Sequence, residues 1–188
     1  MRLAFQLALL LMFAVPGVTQ DALSQTSRTN ASQCTEELFQ QAEQSFERRK
    51  LGSENLAQAE RQLSNLARFC KEQPAGFHAE EQLRVVREEL ANHNLSIALF
   101  YLSKFYHGRG GQAGAVSRLK HIIERYPEYS KLDQALFLLG EINMKARNFD
   151  EAASYYRQLI RAYPASQYTG EASLQLSAIG ILKNEPTP

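Results

Sequence analysis

The sequence predicts an all-α fold in which antiparallel helix pairs stack into an α-solenoid. The first observation is an internal repeat, because the run from Ala115 to Pro127 returns as the run from Ala152 to Pro164, with an offset of 37 residues. The second is apolar periodicity of the helical kind, with no convincing strand alternation after residue 30. A fixed period in this range marks stacked units that cannot each bury an apolar face alone. These observations favour a surface that holds another molecule over a pocket for chemistry.

The first 20 residues differ in character from the rest of the chain. Arg2 gives a positive start, residues 3–15 are almost unbroken apolar sequence, and Pro16-Gly17 ends that run. This pattern predicts a secretory signal peptide over residues 1–20, with the mature chain beginning between residues 18 and 23. The apolar run is too short for a transmembrane helix, and no later run is long enough to span a bilayer. The competing interpretation is a buried N-terminal helix.

Composition and helix-stopping residues divide the remainder of the chain into segments. Residues 21–33 are rich in Ser, Thr, Gln and Asn and predict a flexible leader, and residues 184–188 predict a disordered tail. Between them, residues 34–183 form the predicted repeat domain. Apolar stripes, helix-stopping prolines and acidic first turns predict its helices. These fall near 35–50, 54–72, 78–106, 112–126, 131–146, 150–163 and 168–183.

One stripe in each helix supplies the predicted core. Apolar residues recur in both copies of the repeat at spacings that place them on one face of a helix. Small alanines let helices approach closely, and tyrosines fill the seam between units. The predicted core residues are Ala98, Ala115, Tyr126, Ala135, Leu139, Ala152, Tyr156 and Tyr163. Tyr163 in particular is expected to be buried against the last helix. Ser130, three residues before Asp133, resembles a capping box at the start of the fifth helix.

The chain contains two cysteines, Cys34 and Cys70. In an antiparallel hairpin the start of one helix lies beside the end of the next, and these residues occupy those positions. In an exported protein this arrangement predicts a disulfide that closes a loop of 36 residues. The competing interpretation is two unpaired thiols. No cysteine directly follows the apolar segment, so the lipid-attachment pattern of a bacterial lipoprotein is absent from this sequence.

Composition and motif content argue against three classes of function. The 21 basic and 20 acidic residues nearly cancel, whereas a nucleic-acid-binding protein shows a basic excess. The four histidines lack metal-ligand spacing and no Cys-x-x-Cys occurs, so neither a metal nor another cofactor is expected. Nothing supplies a nucleophile, a base and an orienting group together, so no catalytic residue is assigned and an enzyme is the least favoured class.

Positive charge is concentrated in residues 101–131, which contain six cations against two acids. One interpretation is solvated helix faces, and the other is a basic contact patch for an acidic protein partner. Arg109 lies in a glycine-bounded loop, and Arg118 and Lys120 lie on the helix that follows. These three residues form the predicted partner-binding site.

Two sets of residues resemble known repeat proteins. The pattern Ala-Val-x-Arg-Leu…Tyr-Pro, followed by Ala-Leu-x-Leu-Leu-Gly-Glu at residues 135–141, is similar to tetratricopeptide repeats. A second resemblance, to the BamD family, covers about residues 80–170. It depends on Glu88-Glu89-Leu90-Ala91 in the long helix, on Arg109-Gly110, and on Ala115-Val116-Ser117-Arg118.

The BamD resemblance implies a periplasmic scaffold that docks on the barrel-inserting subunit of the outer-membrane β-barrel assembly machinery and helps receive unfolded barrel substrates. It also implies that Arg109 and Arg118 meet acidic groups of that subunit. The chain departs from the family pattern because it lacks the lipid-bearing cysteine, has a longer loop around His107-Gly108, and reduces the N-terminal repeats to one weak pair.

We therefore expect an exported, non-enzymatic periplasmic adaptor that binds protein partners. Whether it associates peripherally with the outer membrane is left open. The runner-up is a generic periplasmic tetratricopeptide adaptor that serves a cell-division or envelope-maintenance complex.

Overall fold

The computed structural model describes residues 34–103 and 109–184, and it places side chains for residues 34–103 and 111–180. This part of the chain forms seven α-helices and has no β-strand. The helices are α1 (Glu36–Arg48), α2 (Ser53–Phe69), α3 (Pro74–Leu102), α4 (Arg109–Arg125), α5 (Leu132–Lys145), α6 (Phe149–Ala162) and α7 (Thr169–Asn184). The predicted all-α fold of stacked helix pairs is confirmed. The predicted signal peptide, leader and tail lie outside the described residues.

Local sequence explains the first helix pair. The Thr35 side chain precedes α1 and accepts a hydrogen bond from the Leu38 backbone N–H at 3.2 Å. A short 3-10 turn, Arg49–Leu51, follows α1. Gly52 then adopts a φ of 147°, which L side chains rarely adopt, and lets the chain reverse into α2.

Two predicted helix starts are wrong. α3 begins at Pro74 rather than near residue 78, because proline fits the first helical position, where its missing N–H costs nothing. α4 begins at Arg109 rather than near residue 112, so Arg109 is the first residue of a helix and not part of a loop. Glycines disfavour a helix locally, but a Cβ at Gly114 would lie 3.0 Å from the Tyr101 ring. Close packing of α4 on α3 therefore outweighs the local preference.

The core is continuous along the stack. Each helix packs against its neighbours in the chain, and α1 also contacts α3. One cluster of buried side chains runs from α1 to α5, and a second joins α5, α6 and α7. Ile123, Tyr155 and Tyr163 pack against both clusters and connect them.

The repeat has a third copy that the fixed period did not find. The even-numbered helices present the same four-residue stripe, with identical spacing. Each stripe has three residues on the helix and a fourth directly after it. The members are Ala59, Leu63, Leu66 and Cys70 for α2, Ala115, Leu119, Ile122 and Tyr126 for α4, and Ala152, Tyr156, Leu159 and Tyr163 for α6. The first two copies are offset by 56 residues rather than 37, because α3 has 29 residues whereas α5 has 14. The N-terminal pair is thus a regular member of the stack whose period is hidden by a long helix.

Tyr163 is the exception among the predicted core residues. The other seven are buried, with Tyr126 the most accessible of them at 5%. Tyr163 is only partly buried, which corrects the expectation that α7 would cover it. Its side chain packs against both core clusters and is a buried member of neither. Its ring therefore lies at the boundary between the two core clusters rather than inside one.

Candidate partner-binding surface

The two cysteines are joined by a disulfide in the structure. It fixes the start of α1 to the residue that ends α2. The first turn of α3 packs against the same point, because a Cβ at Gly76 would lie 2.2 Å from the Cys70 carbonyl oxygen. Three helix ends therefore meet at this disulfide. Neither thiol of the sequence remains free.

The predicted binding residues on α4 do not share one face. Arg118 and Lys120 are both exposed, but two residues of helix separate them by about 200° around the axis. Arg118 faces α3, where its Nη1 donates to the Asn94 side-chain oxygen at 3.1 Å, and Asn94 is itself buried. Lys120 has no bond or ion pair within the described residues. Arg109 begins the helix, and its side chain lies outside the described part of the structure.

Other cations of the basic stretch are engaged within the protein. Arg125 of α4 and Arg87 of α3 each lie 3.6 Å from one carboxylate oxygen of Glu60 on α2. Lys131 donates from Nζ to the Asn92 side-chain oxygen at 3.0 Å. Some cations of this stretch therefore make contacts within the protein, whereas Lys120 is free at the surface.

The turn between α4 and α5 is fastened to α3. Tyr129 donates its hydroxyl to the Asn92 side-chain oxygen at 2.8 Å, and the Ser130 N–H and hydroxyl both bond the Glu88 carboxylate. Ser130 therefore does not cap α5, which corrects the capping-box prediction, and Lys131 precedes that helix without a side-chain cap. Burial and the nearby Glu88 carboxylate raise the pKa of Tyr129 to about 12.

A cleft of about 440 Å³ lies between this turn and α3. Its lining mixes signs equally, with the cations Arg84, Arg87 and Arg125 and the acids Glu88, Glu89 and Glu128. Arg84 is already paired with Glu81 at 2.6 Å. The cleft thus presents compensated charge and no net preference for an anion or a cation.

α6 presents an exposed basic face. Arg157 and Arg161 lie one helical turn apart and are exposed, and neither makes a bond or ion pair within the described residues. Together with Ser154, Gln158 and Ala162 they line a shallow groove of about 560 Å³. Sequence reasoning missed these arginines because it sought cations in one contiguous stretch. The repeat offset of 37 residues relates Lys120 to Arg157, but it relates Glu124 to Arg161, so it points to only one of the two.

Other kinds of site are absent from the part of the chain that the structure describes. No group of three or more His, Cys, Asp or Glu side chains there is placed to hold a metal ion. None of the described helices has the length and apolar character needed to cross a membrane. The buried Tyr156 hydroxyl donates to the Glu141 carboxylate at 2.6 Å, and burial together with this bond raises the pKa of Tyr156. That contact joins α5 to α6 within the core.

The stacked helix pairs define the class of this molecule as a helical-repeat protein of the tetratricopeptide type. A family model described as YfiO, outer membrane lipoprotein, matches residues 28–154, about two thirds of the chain. The chain belongs to this BamD-like family. The match spans α1 to α5 and ends in the first turns of α6. A search of curated proteins and a search of solved structures gave no significant match.

Proposed function

We propose that this protein is a non-enzymatic adaptor of the outer-membrane β-barrel assembly machinery, exported to the periplasm. The observation that carries the proposal is the family match, which spans five of the seven helices of a repeat scaffold. Repeat scaffolds of this kind bind partners over extended surfaces rather than in enclosed pockets. Family membership indicates an envelope-associated protein. The partner we favour is the soluble part of the barrel-inserting subunit.

The proposed contact is the basic surface of α4. This helix carries four cations, Arg109, Arg118, Lys120 and Arg125, against a single acid, Glu124. Lys120 is free to meet a partner, and Arg118 offers the remaining donors of its guanidinium while one nitrogen holds Asn94. Charge complementarity of this kind guides association and fixes register. We therefore propose that the partner presents acidic groups to α4.

A further part of the proposal concerns the membrane, since neither Cys34 nor Cys70 is available to carry a lipid. Both are committed to the disulfide between α1 and α2. We propose that the described chain reaches the outer membrane through its protein partner. Peripheral association would then depend on that partner and would be lost with it.

Copurification from crosslinked envelopes tests the proposal. Recovery of the barrel-inserting subunit would support it, and recovery of a cell-division or envelope-maintenance complex instead would favour the generic adaptor. The variant Lys120→Glu should weaken that recovery while leaving thermal unfolding unchanged, because Lys120 makes no internal bond. Arg118→Glu should weaken recovery and also lower stability, because it removes the bond to the buried Asn94. Undiminished recovery with both variants would place the contact elsewhere.

A further inference from the structure

Formal charge differs from helix to helix along the stack. α1 has four acids against Arg48, and α4 has four cations against Glu124. α3 also has an acidic excess, with Glu80, Glu81, Glu88 and Glu89 against Arg84 and Arg87. An acidic partner is therefore attracted to α4 and repelled by α1 and α3.

α6 carries no net charge, but its two arginines are separated along the helix from its two acids. Arg157 and Arg161 point away from the core stripe of α6, whose members Ala152, Tyr156 and Leu159 are buried. The acids of α6, by contrast, are confined to its first turn, at Asp150 and Glu151. Cations in the second half of a helix stabilise its C-terminal end, but only Arg161 lies in the last turn. Arg157 has no structural role in the described residues.

α4 and α6 both pack against α5. Ile123 of α4 packs against the cluster shared by α5, α6 and α7, and Tyr155 of α6 packs against the cluster that runs from α1 to α5. Lys120 and Arg157 occupy equivalent positions of the two helices and are both exposed, whereas the position equivalent to Arg161 is Glu124 on α4. The free cations of both helices therefore face solvent, and the pair of arginines one turn apart is specific to α6.

The chemistry of the groove indicates its occupant. Arginine grips a carboxylate with a planar fork, so two arginines one turn apart match two carboxylates one turn apart on a second helix. The groove between them is lined by small or polar side chains, Ser154, Gln158 and Ala162, which leave room for a helix to approach. A membrane-binding face would instead place large apolar anchors beside the cations. The exposed large apolar residues of the described chain are Leu51, Phe77, Leu99, Phe100 and Leu174, and none lies on α6.

We propose that Arg157 and Arg161 form a docking site for an acidic helical segment of a protein partner. The segment carries two carboxylates one helical turn apart. This inference rests on the proposed function as an adaptor, and it extends the contact from α4 to α6. Arg157 and Arg161 lie beyond the residues matched by the family model, so the match assigns them no role.

Binding of a defined peptide tests the site in vitro. The probe is a helical peptide with glutamate pairs at i and i+4 on one face, and its control has the same composition with the glutamates distributed around the helix. Arg157→Glu with Arg161→Glu should weaken binding of the probe by about tenfold or more. Arg48→Glu with Lys50→Glu, at exposed positions near the end of α1, changes the net charge equally and should leave the affinity within about twofold. Arg157→Gln with Arg161→Gln provides the same test if charge reversal impairs folding.

Three results would overturn the site. One is unchanged peptide affinity in both α6 variants. Another is equal binding of the probe and its scrambled control by the wild type. The third is loss of binding to phosphatidylglycerol vesicles in the α6 variants while peptide affinity is retained, which would assign the surface to a membrane.

Photo-crosslinking in cells separates this inference from the proposed function. A photoreactive residue replaces Gln158 between the two arginines, and the control position is Gln44, exposed on α1. We expect the Gln158 position to crosslink to an acidic helical segment, and the Gln44 position not to. If that segment belongs to a protein outside the barrel-assembly machinery, the proposed function fails and the site stands. If the barrel-inserting subunit copurifies but never crosslinks at Gln158, the site fails and the function stands.

Discussion

The turns after α4 and α6 are two copies of one sequence pattern, yet they are held differently. Their backbones agree, since Tyr126 and Tyr163 each bond the carbonyl four residues earlier, at 2.9 and 2.8 Å. The first turn is then fastened to α3 through Tyr129, Ser130 and Lys131. The second is fastened to α5 by a bond from the Ser166 hydroxyl to the Asp133 carboxylate at 2.6 Å. The shared backbone thus comes from the repeat, and the difference comes from the side chains of the preceding odd-numbered helix.

The third copy extends the comparison. At the position of Tyr126 and Tyr163, the N-terminal copy has Cys70, which is buried and bonded to Cys34. A covalent bond there replaces the packing of a ring. The three copies therefore close the same seam by a disulfide, by a buried tyrosine and by a half-buried tyrosine, in order along the chain.

The largest effect on stability should come from reduction of the disulfide. It closes a loop of 36 residues, for which the chain-entropy model gives a stabilisation of about 4 kcal/mol. Reduction should speed hydrogen exchange in α1 and α2 before it does so in α4 to α7. The helices α4 to α7 should respond later because the disulfide does not involve them. Hydrogen exchange on the oxidised and reduced protein measures this order. Alkylation of both cysteines in the unreduced, denatured protein would show that no bridge exists.

The next largest effect should be a difference in stability between alanine variants of Tyr126 and Tyr163. Tyr126→Ala should lower the free energy of unfolding by about 3 kcal/mol or more, because it leaves a cavity in the core. Tyr163→Ala should cost about half as much, since its ring already contacts solvent. Denaturant unfolding of both variants measures the difference. Equal losses would mean that the two seams are equally buried in solution.

Two positions related by the 37-residue period should respond to alanine with opposite signs. A Cβ at Gly140 would lie 2.4 Å from the Tyr156 ring, so Gly140→Ala should destabilise by about 1–3 kcal/mol despite the better helix propensity of alanine. The residue 37 positions earlier is Ser103, which directly follows α3 and whose hydroxyl is buried without a hydrogen-bond partner among the described residues. Ser103→Ala should therefore be neutral or stabilising by up to about 1 kcal/mol. Thermal unfolding of the two variants decides it, and a loss at Ser103 would reveal a bond to its hydroxyl.

The smallest effect concerns pH. Burial first, and then Glu88, raise the folded-state pKa of Tyr129 to about 12, above the value near 10 of an unfolded tyrosine. Its contribution is therefore complete below pH 10 and falls as pH rises from about 10 to 12, because the unfolded state loses its proton first. Tyr129→Phe should cost about 1 kcal/mol at pH 8, and the gap from wild type should narrow above pH 10. If the difference in free energy of unfolding between wild type and Tyr129→Phe stays constant across this pH range, the ionisation of Tyr129 does not affect stability.

Much of the candidate site could not be read from the sequence. The sequence places Arg109 on a loop and Arg118 on a helix, whereas both belong to α4, which starts at Arg109. Arg118 turns toward Asn94, a contact between residues 24 positions apart. Local spacing shows which residues share a helix, but the neighbouring helix decides which of them remains free.

The sequence by itself determined the all-α class, the 37-residue period and the two cysteines that pair, because helical periodicity and turn residues are local properties. Only the tertiary structure decided that α2 is a third repeat, since the length of α3 hides its period. It also decided that Tyr163 is only partly buried, and that Arg118 is bonded to Asn94 whereas Lys120 makes no bond within the described residues. These outcomes depend on which side of each helix its neighbours cover, and that is set by contacts between residues far apart in the chain.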